Sequence, residues 1–178
     1  PKAVESSASD LQILGLFNPG VFYFQDKIWM IVRVAENLHD EAGVFSYLSM
    51  QHNKLEIFKR SRQDPHLDSS DSRVHRYKGV DYLTSISHFR LFSSEDGFKF
   101  TASALPLLQP KGTYESYGIE DCRVSKIDDL YYLTYTAVSE NGVGVGLRTT
   151  RDWINFKYHG LILPPHNKDC AIFEQRID

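Results

Sequence analysis

The sequence predicts an all-β protein, and three observations support this fold class. Aromatic residues make up 13% of the 178-residue chain, mostly Tyr and Phe, and such side chains suit the pleated surface of strands. Short segments rich in aromatic and β-branched residues alternate with turn residues, and no stretch of about 12 residues keeps a helical periodicity. Segments of similar sequence also recur along the chain, which is typical of repeat architectures.

The pattern of apolar and turn residues predicts short strands at residues 21–24, 28–34, 44–49, 55–58, 86–92, 131–136 and 143–148. Dipeptides such as Asp96-Gly97 and Asn141-Gly142 separate them as turns. Residues 60–78 are rich in Ser, Asp and Arg. We therefore expect a long exposed loop there.

An internal repeat defines the architecture better than residue propensity does. The segment that begins at Asn18 aligns without a gap with the segment that begins at Asp121, so that Ile28 falls on Tyr131. A third copy begins at Asp169. These positions predict blade-like repeats that open near residues 18, 121 and 169.

The second halves of the first two copies also match, since residues 93–100 align with residues 149–156. The spacing between the halves differs because the first copy carries an insertion, which we place at about residues 38–83. Each copy is a small antiparallel sheet that cannot bury both faces alone, and radial stacking of such sheets gives a β-propeller. The alternative is a β-sandwich whose strands resemble each other by chance.

The residues that open the repeats are candidates for chemistry, because the first strand of each propeller blade lines the central channel. Asn18, Asp121 and Asp169 would converge there. Two carboxylates in one cavity suit glycosidic cleavage, in which one group protonates the leaving oxygen and another delivers or activates the nucleophile. The alternative is that these residues merely cap turns.

Charged and aromatic neighbours strengthen this hypothesis. Arg123 follows Asp121 by two residues and Lys168 precedes Asp169, whereas Arg33 lies late in the second strand of the first copy. Such cations keep carboxylates ionised and bind hydroxyls or phosphate. Glu36 follows in the same strand region as Arg33, and Tyr117 offers a flat ring on which a sugar can pack. Arg123 as a structural salt-bridge partner, and Tyr117 as an ordinary core residue, remain open.

Composition bounds the partners. The net charge of −3 gives no basic excess for nucleic acid, and no apolar run approaches the roughly 20 residues of a membrane helix. The spacing of His and Cys residues suggests no metal site.

The chain starts at Pro1 without Met, so we expect that something has been removed. Cytoplasmic and periplasmic locations both fit, and so does a homo-oligomer.

Several motifs together resemble glycoside hydrolase family 130, the mannoside phosphorylases and β-mannosidases. The resemblance runs from about residue 15 to the end of the chain and rests on Asn18-Pro19-Gly20, Arg33-Val34-Ala35-Glu36, Ser94-Glu95-Asp96-Gly97-Phe98-Lys99-Phe100, Gly118-Ile119-Glu120-Asp121-Cys122-Arg123-Val124 and Asn167-Lys168-Asp169-Cys170-Ala171-Ile172-Phe173. It implies a five-bladed propeller with a central active site. About two and a half blades, the N-terminal half, would be present here, and the C-terminal half of the domain would be missing.

The resemblance also implies roles for single residues. Asp121 matches the family's proton donor, which acts through a sugar hydroxyl, although Cys122 stands where the family has Pro. Glu120 and Asn167 belong to motifs that bind substrate. Lys168 and Asp169 match the phosphate-binding position of the family's phosphorylases, where the second residue is usually Asn.

A carboxylate at that second position would repel phosphate and could instead activate water. We therefore expect inverting hydrolysis of β-mannosidic linkages in oligosaccharides, with Asp121 as acid and Asp169 as base. Phosphorolysis to mannose 1-phosphate is the alternative. No cofactor is implied, and inorganic phosphate would be the co-substrate of a phosphorylase. A non-catalytic carbohydrate-binding propeller, or another five-bladed glycosidase of arabinanase or fructosidase type, also stays open.

Overall fold

The structure is a computed structural model that describes residues 4–105, 107–175 and 177. These residues form one short 3-10 helix, Thr113–Glu115, and the following strands: β1 (Leu11–Phe24), β2 (Lys27–Leu38), β3 (Val44–Gln51), β4 (Lys54–Ser61), β5 (Leu67–Asp68), β6 (Val74–Tyr77), β7 (Val80–Leu83), β8 (Ile86–Ser94), β9 (Thr101–Ala102), β10 (Gly118–Ile127), β11 (Leu130–Ser139), β12 (Gly142–Thr150) and β13 (Lys157–Leu163). The all-β prediction is confirmed. Within this described part of the chain, no helix has the length and apolar character to cross a membrane.

The strands of the main sheet form two four-stranded antiparallel units. The first consists of β1, β2, β8 and β9, and the second of β10, β11, β12 and β13. A single parallel pair, Gly118 with Ser87, joins them. Each unit has the make-up of one propeller blade.

The main hydrophobic core lies between these two units. Phe22 and Trp29 of the first unit pack with Leu133 of the second, and all three are buried. The ring of Phe22 stacks on that of Trp153, with centroids 3.7 Å apart and planes inclined by 9°. The two units therefore bury their apolar faces against each other, as adjacent blades do.

Equivalent turns in the two units reproduce the repeat. The Oδ1 atom of Asp96 accepts hydrogen bonds from the backbone N–H groups of Phe98 and Lys99, both at 2.9 Å. The Oδ1 atom of Asp152 accepts from Ile154 at 2.9 Å and from Asn155 at 2.7 Å. The aligned aspartates thus hold the same turn.

Residues 44–83 lie outside the two units and form two small sheets, β3–β4 and β5–β6–β7. The predicted loop at residues 60–78 is wrong, because it contains the end of β4, all of β5 and all of β6. Its polar sequence still forms strands, since one face is covered: His75 is buried, and its ring lies 4.5 Å from that of Phe45.

Candidate active site

The repeat openings share an unusual backbone. The register of β1 against β2 shifts between Phe17 and Gly20, and that of β10 against β11 shifts between Glu120 and Arg123. Asn18 and Asp121 therefore lie in equivalent β-bulges, with φ angles of 40° and 54°, and Asp169 has a φ of 57°. Bulges of this kind redirect side chains and are common beside active sites.

Arg33 of β2 connects the two acidic residues of the second bulge. Its Nη2 atom lies 2.6 Å from Glu120 Oε1 and its Nη1 atom 3.3 Å from Asp121 Oδ1. Its Nε atom donates to Ser87 Oγ at 3.0 Å, and its Cζ atom lies 5.5 Å from the centroid of the Phe17 ring. Arg33, Glu120 and Asp121 are each 20% exposed. We call these three residues the Arg33 cluster.

Gly118 brings this cluster together. Its φ is 124°, and a Cβ atom there would lie 2.7 Å from the backbone nitrogen of Ser87. Glycine therefore allows the backbone of β10 to approach that of β8. The approach places Glu120 and Asp121 within reach of a guanidinium that is anchored on β2.

A buried ion pair fixes the segment that leads to Gly118. Glu115 Oε2 lies 2.6 Å from Arg148 Nη2, and the Tyr135 hydroxyl donates to Glu115 Oε1 at 2.6 Å. Arg148 also donates to the carbonyl of Gln109 at 2.9 Å. The Tyr135 hydroxyl on β11 and the Arg148 guanidinium on β12 thus hold the chain that enters β10.

Burial and the neighbouring charges act in opposite directions on the pKa of Glu120. Burial raises the pKa of Glu120 above its ordinary value, and the nearby Asp121 adds to the effect. Arg33 and Lys168 oppose it. Ionisation of Glu120 is therefore costly, and Glu120 shares the guanidinium of Arg33 with Asp121. Such a pair of carboxyl groups suits proton transfer to or from a substrate.

The third repeat opening lies nearby but is more open. Thr134 of β11 donates to the carbonyl of Cys170 at 2.6 Å, which anchors this segment. Lys168 Nζ lies 3.6 Å from Asp169 Oδ2, and their side chains are 66% and 55% exposed. The Asn167 side chain donates to the carbonyl of Pro164 at 2.6 Å.

Two other candidates lie at the bulges without joining the cluster. Asn18 and Arg123 are both exposed. Arg123 donates to the carbonyl of Cys122 at 3.3 Å. Its role as a partner for carboxylates stays a prediction. Among the described residues, no group of three or more His, Cys, Asp or Glu side chains could hold a metal ion.

Glu36 lies away from the Arg33 cluster. The two residues are three apart on β2, whose pairing with β8 continues in register from Ile28 to Glu36, so their side chains point to opposite faces. Glu36 is fully buried and accepts hydrogen bonds from the backbone N–H and the hydroxyl of Ser7. The structure thus places Glu36 against the segment before β1.

His88 shares this buried environment and makes stability depend on pH. Its Nδ1 atom lies 3.7 Å from Glu36 Oε2, and its Nε2 atom accepts from Arg90 at 3.1 Å. Burial, with a smaller contribution from Arg90, lowers the pKa of His88 from 6.5 to about 4. The imidazole is therefore neutral in the folded protein at neutral pH.

We expect the free energy of unfolding to fall as the pH drops from about 6.5 to 4, because only the unfolded chain gains the proton there. The slope from this group is at most about 1.4 kcal/mol per pH unit. Urea unfolding at several pH values measures it. His88→Gln should flatten this part of the profile, and an unchanged slope would contradict the assignment.

Tyr117 does not join the Arg33 cluster and instead lines a pocket beside the inserted sheets. It is buried, and its ring centroid lies 5.9 Å from that of Tyr82 in the inserted sheets.

Sequence reasoning missed Phe17, Ser87 and Gly118 as site residues. Gly118 carried a signal, since a glycine within a strand often marks a close backbone approach, whereas Ser87 carried none.

These features form an acidic pair at a bulge of an inner strand, in a sheet whose units are built like propeller blades. A sequence model described as beta-1,4-mannooligosaccharide phosphorylase matches residues 66–177. The chain belongs to glycoside hydrolase family 130. Its two four-stranded units are therefore blades of the five-bladed propeller of this family.

Relatives agree with this family. A β-1,2-mannobiose phosphorylase of Listeria innocua is 36% identical over 185 residues, which cover 100% of this chain and 52% of the relative. A 1,2-β-oligomannan phosphorylase of Thermoanaerobacter sp. is 28% identical over 81% of this chain and 46% of its own length. The chain therefore spans about half the length of these relatives.

Solved structures agree as well. The β-1,2-mannobiose phosphorylase of Listeria innocua, in complex with β-1,2-mannobiose, matches with a TM-score of 0.90 and 35% identity over 98% of this chain and 52% of its own. A crystal structure of a protein from Parabacteroides distasonis matches with a TM-score of 0.54 and 18% identity, over 82% of this chain and 32% of its own. The latter shares the fold alone.

Proposed function

We propose that the protein cleaves β-1,2-linked mannosides by phosphorolysis and releases mannose 1-phosphate. The Arg33 cluster carries this proposal, because it presents a proton-transferring carboxyl pair at the bulge where the family resemblance expects the proton donor. The relatives named above support phosphate as the nucleophile and the β-1,2 linkage. The inserted sheets and the openings near residues 18, 121 and 169 would then belong to one partial propeller domain.

Each group has a defined task in this reaction. An oxygen of inorganic phosphate attacks the anomeric carbon, and the bond between that carbon and the glycosidic oxygen breaks. Asp121 supplies the proton that the leaving oxygen needs, by way of a sugar hydroxyl. Attack from the opposite face inverts a β-mannoside into α-mannose 1-phosphate. Arg33 orients Asp121 and Glu120, and no cofactor takes part.

This proposal of phosphorolysis differs from the hydrolysis that we expected from the sequence because of Asp169. The objection to phosphate was an uncompensated carboxylate beside it. Lys168 Nζ lies 3.6 Å from Asp169 Oδ2, and this ammonium offsets the charge of that carboxylate. Asp169 would then orient Lys168 towards phosphate instead of activating water.

Product analysis with and without inorganic phosphate tests the reaction. With β-1,2-mannobiose, we expect mannose 1-phosphate and mannose when phosphate is present and negligible turnover when it is absent. A matched assay with β-1,4-mannobiose tests the linkage. Release of mannose alone, at a rate independent of phosphate, would establish hydrolysis and overturn the proposal.

A further inference from the structure

A pocket lies between the inserted sheets and the segment that leads into β10. Its volume is about 440 Å³. One wall comes from β3, β4, the turn between them and Tyr82 of β7. The other comes from Gly112, Thr113, Ser116, Tyr117 and Glu140. The Met50 N–H donates to the carbonyl of Ser116 at 2.7 Å, which holds the two walls together.

A row of aromatic rings forms much of this pocket. Tyr47 stacks on Phe58 with centroids 4.8 Å apart and planes inclined by 9°. The ring centroid of Tyr82 lies 4.0 Å from that of Tyr47 and 5.9 Å from that of Tyr117. Tyr47 and Tyr117 are buried, so the partly exposed rings of Phe58 and Tyr82 are the ones on which the apolar face of a sugar ring can pack.

Polar groups are available beside these rings. The Tyr117 hydroxyl is buried and has no hydrogen-bond partner among the described residues, which is unusual for a buried polar atom. Gln51, Asn53 and Glu140 also line the pocket and are exposed. The described residues that line the pocket include the carboxylate of Glu140 but no Lys or Arg. A neutral ligand with several hydroxyls therefore fits better than an anion such as phosphate.

The pocket lies close to the acid along the chain. Tyr117 precedes Asp121 by four residues, and an extended strand rises about 3.3 Å per residue. Because β10 begins at Gly118 and bulges at Asp121, the two positions are at most roughly 13 Å apart. An oligosaccharide that is cleaved at Asp121 can reach the pocket with a sugar unit beyond the cleaved bond.

We propose that this pocket binds a distal, neutral hexopyranosyl unit of an oligosaccharide substrate, and that it selects longer chains over disaccharides. The inference rests on the proposed function for the reaction itself. The inserted sheets thereby contribute to substrate length preference, a task separate from the chemistry at the Arg33 cluster.

The test compares kcat/KM for β-1,2-mannobiose and for β-1,2-mannotetraose in the protein and in Tyr82→Ala. Tyr82 is half-buried, so its loss should leave the fold intact. We expect the variant to lose about tenfold in kcat/KM for the tetraose, as removal of a stacked ring predicts, and less than twofold for the disaccharide. Tyr23→Ala removes an exposed ring elsewhere on the molecule and should change neither value.

Equal losses for both substrates, or no loss for either, would overturn the inference. If the unaltered protein cleaves no mannoside, the proposed function fails, and calorimetric titration with the tetraose then tests the pocket alone. Binding that Tyr82→Ala weakens while Tyr23→Ala does not would support the pocket. Absent binding, or binding that Tyr82→Ala leaves unchanged, would overturn it.

Discussion

Replacing Asp121 with asparagine is expected to lower kcat for β-1,2-mannobiose by about 10² to 10⁴, the range that general acid catalysis contributes. The amide has the size of the carboxyl group but cannot donate a proton of comparable acidity. The loss should shrink with an aryl mannoside, because its leaving group departs without protonation. Steady-state kinetics on the two substrates measures both effects.

Asp169→Asn is the matched control at the equivalent repeat opening. Under phosphorolysis, this variant should retain its kcat at saturating phosphate, because Asp169 then only orients Lys168 towards phosphate. Thermal unfolding of both variants should match the parent, which separates chemistry from stability. If Asp121→Asn keeps more than about a tenth of the activity, another residue, with Glu120 the first to test, must supply the proton.

Replacing Arg148 with methionine is expected to reduce the free energy of unfolding by about 3–5 kcal/mol. The reason is the carboxylate of Glu115, which is only 1% exposed and would lose the guanidinium 2.6 Å away. The thermal midpoint should fall by roughly 10 °C. Chemical denaturation of parent and variant measures the effect directly.

Two further variants make this prediction specific. Arg151→Met removes an ion pair with Asp129 whose side chains are 65% and 76% exposed, and it should cost no more than about 1 kcal/mol. The double variant Glu115→Gln with Arg148→Met should recover part of the loss, because no unpaired charge remains buried. A loss for Arg148→Met as small as that for Arg151→Met would contradict the structural role of the pair.

The repeat allowed much of the fold to be predicted from the sequence. The alignment of Asn18 with Asp121 corresponds to equivalent bulges, and the alignment of Asp96 with Asp152 corresponds to equivalent turns. These agreements arise because a backbone that must repeat its geometry selects the same few residue types. The acids expected at the bulge therefore lie where the repeat places them.

Residue patterns failed where a strand carries polar side chains or a break. The local pattern of apolar residues did not predict β10 as a strand, because Arg123, Ser125 and Lys126 interrupt its apolar content. β1 is longer than predicted, from Leu11 to Phe24, because the bulge at Asn18 disturbs its alternation. The separation of Glu36 from Arg33 follows from strand parity, whereas the approach of Ser87 depends on tertiary packing that no local pattern encodes.

The left-handed backbone at the repeat openings limits which amino acids each blade accepts there. Asp, Asn and Gly tolerate this conformation, whereas most other residues pay roughly 1–2 kcal/mol for it. Asn18, Asp121 and Asp169 all come from this short set. An inner strand can therefore exchange a proton-donating acid for a neutral amide by one substitution, without rebuilding its path. In such a ring, catalytic capacity can be gained or lost blade by blade while the architecture stays the same.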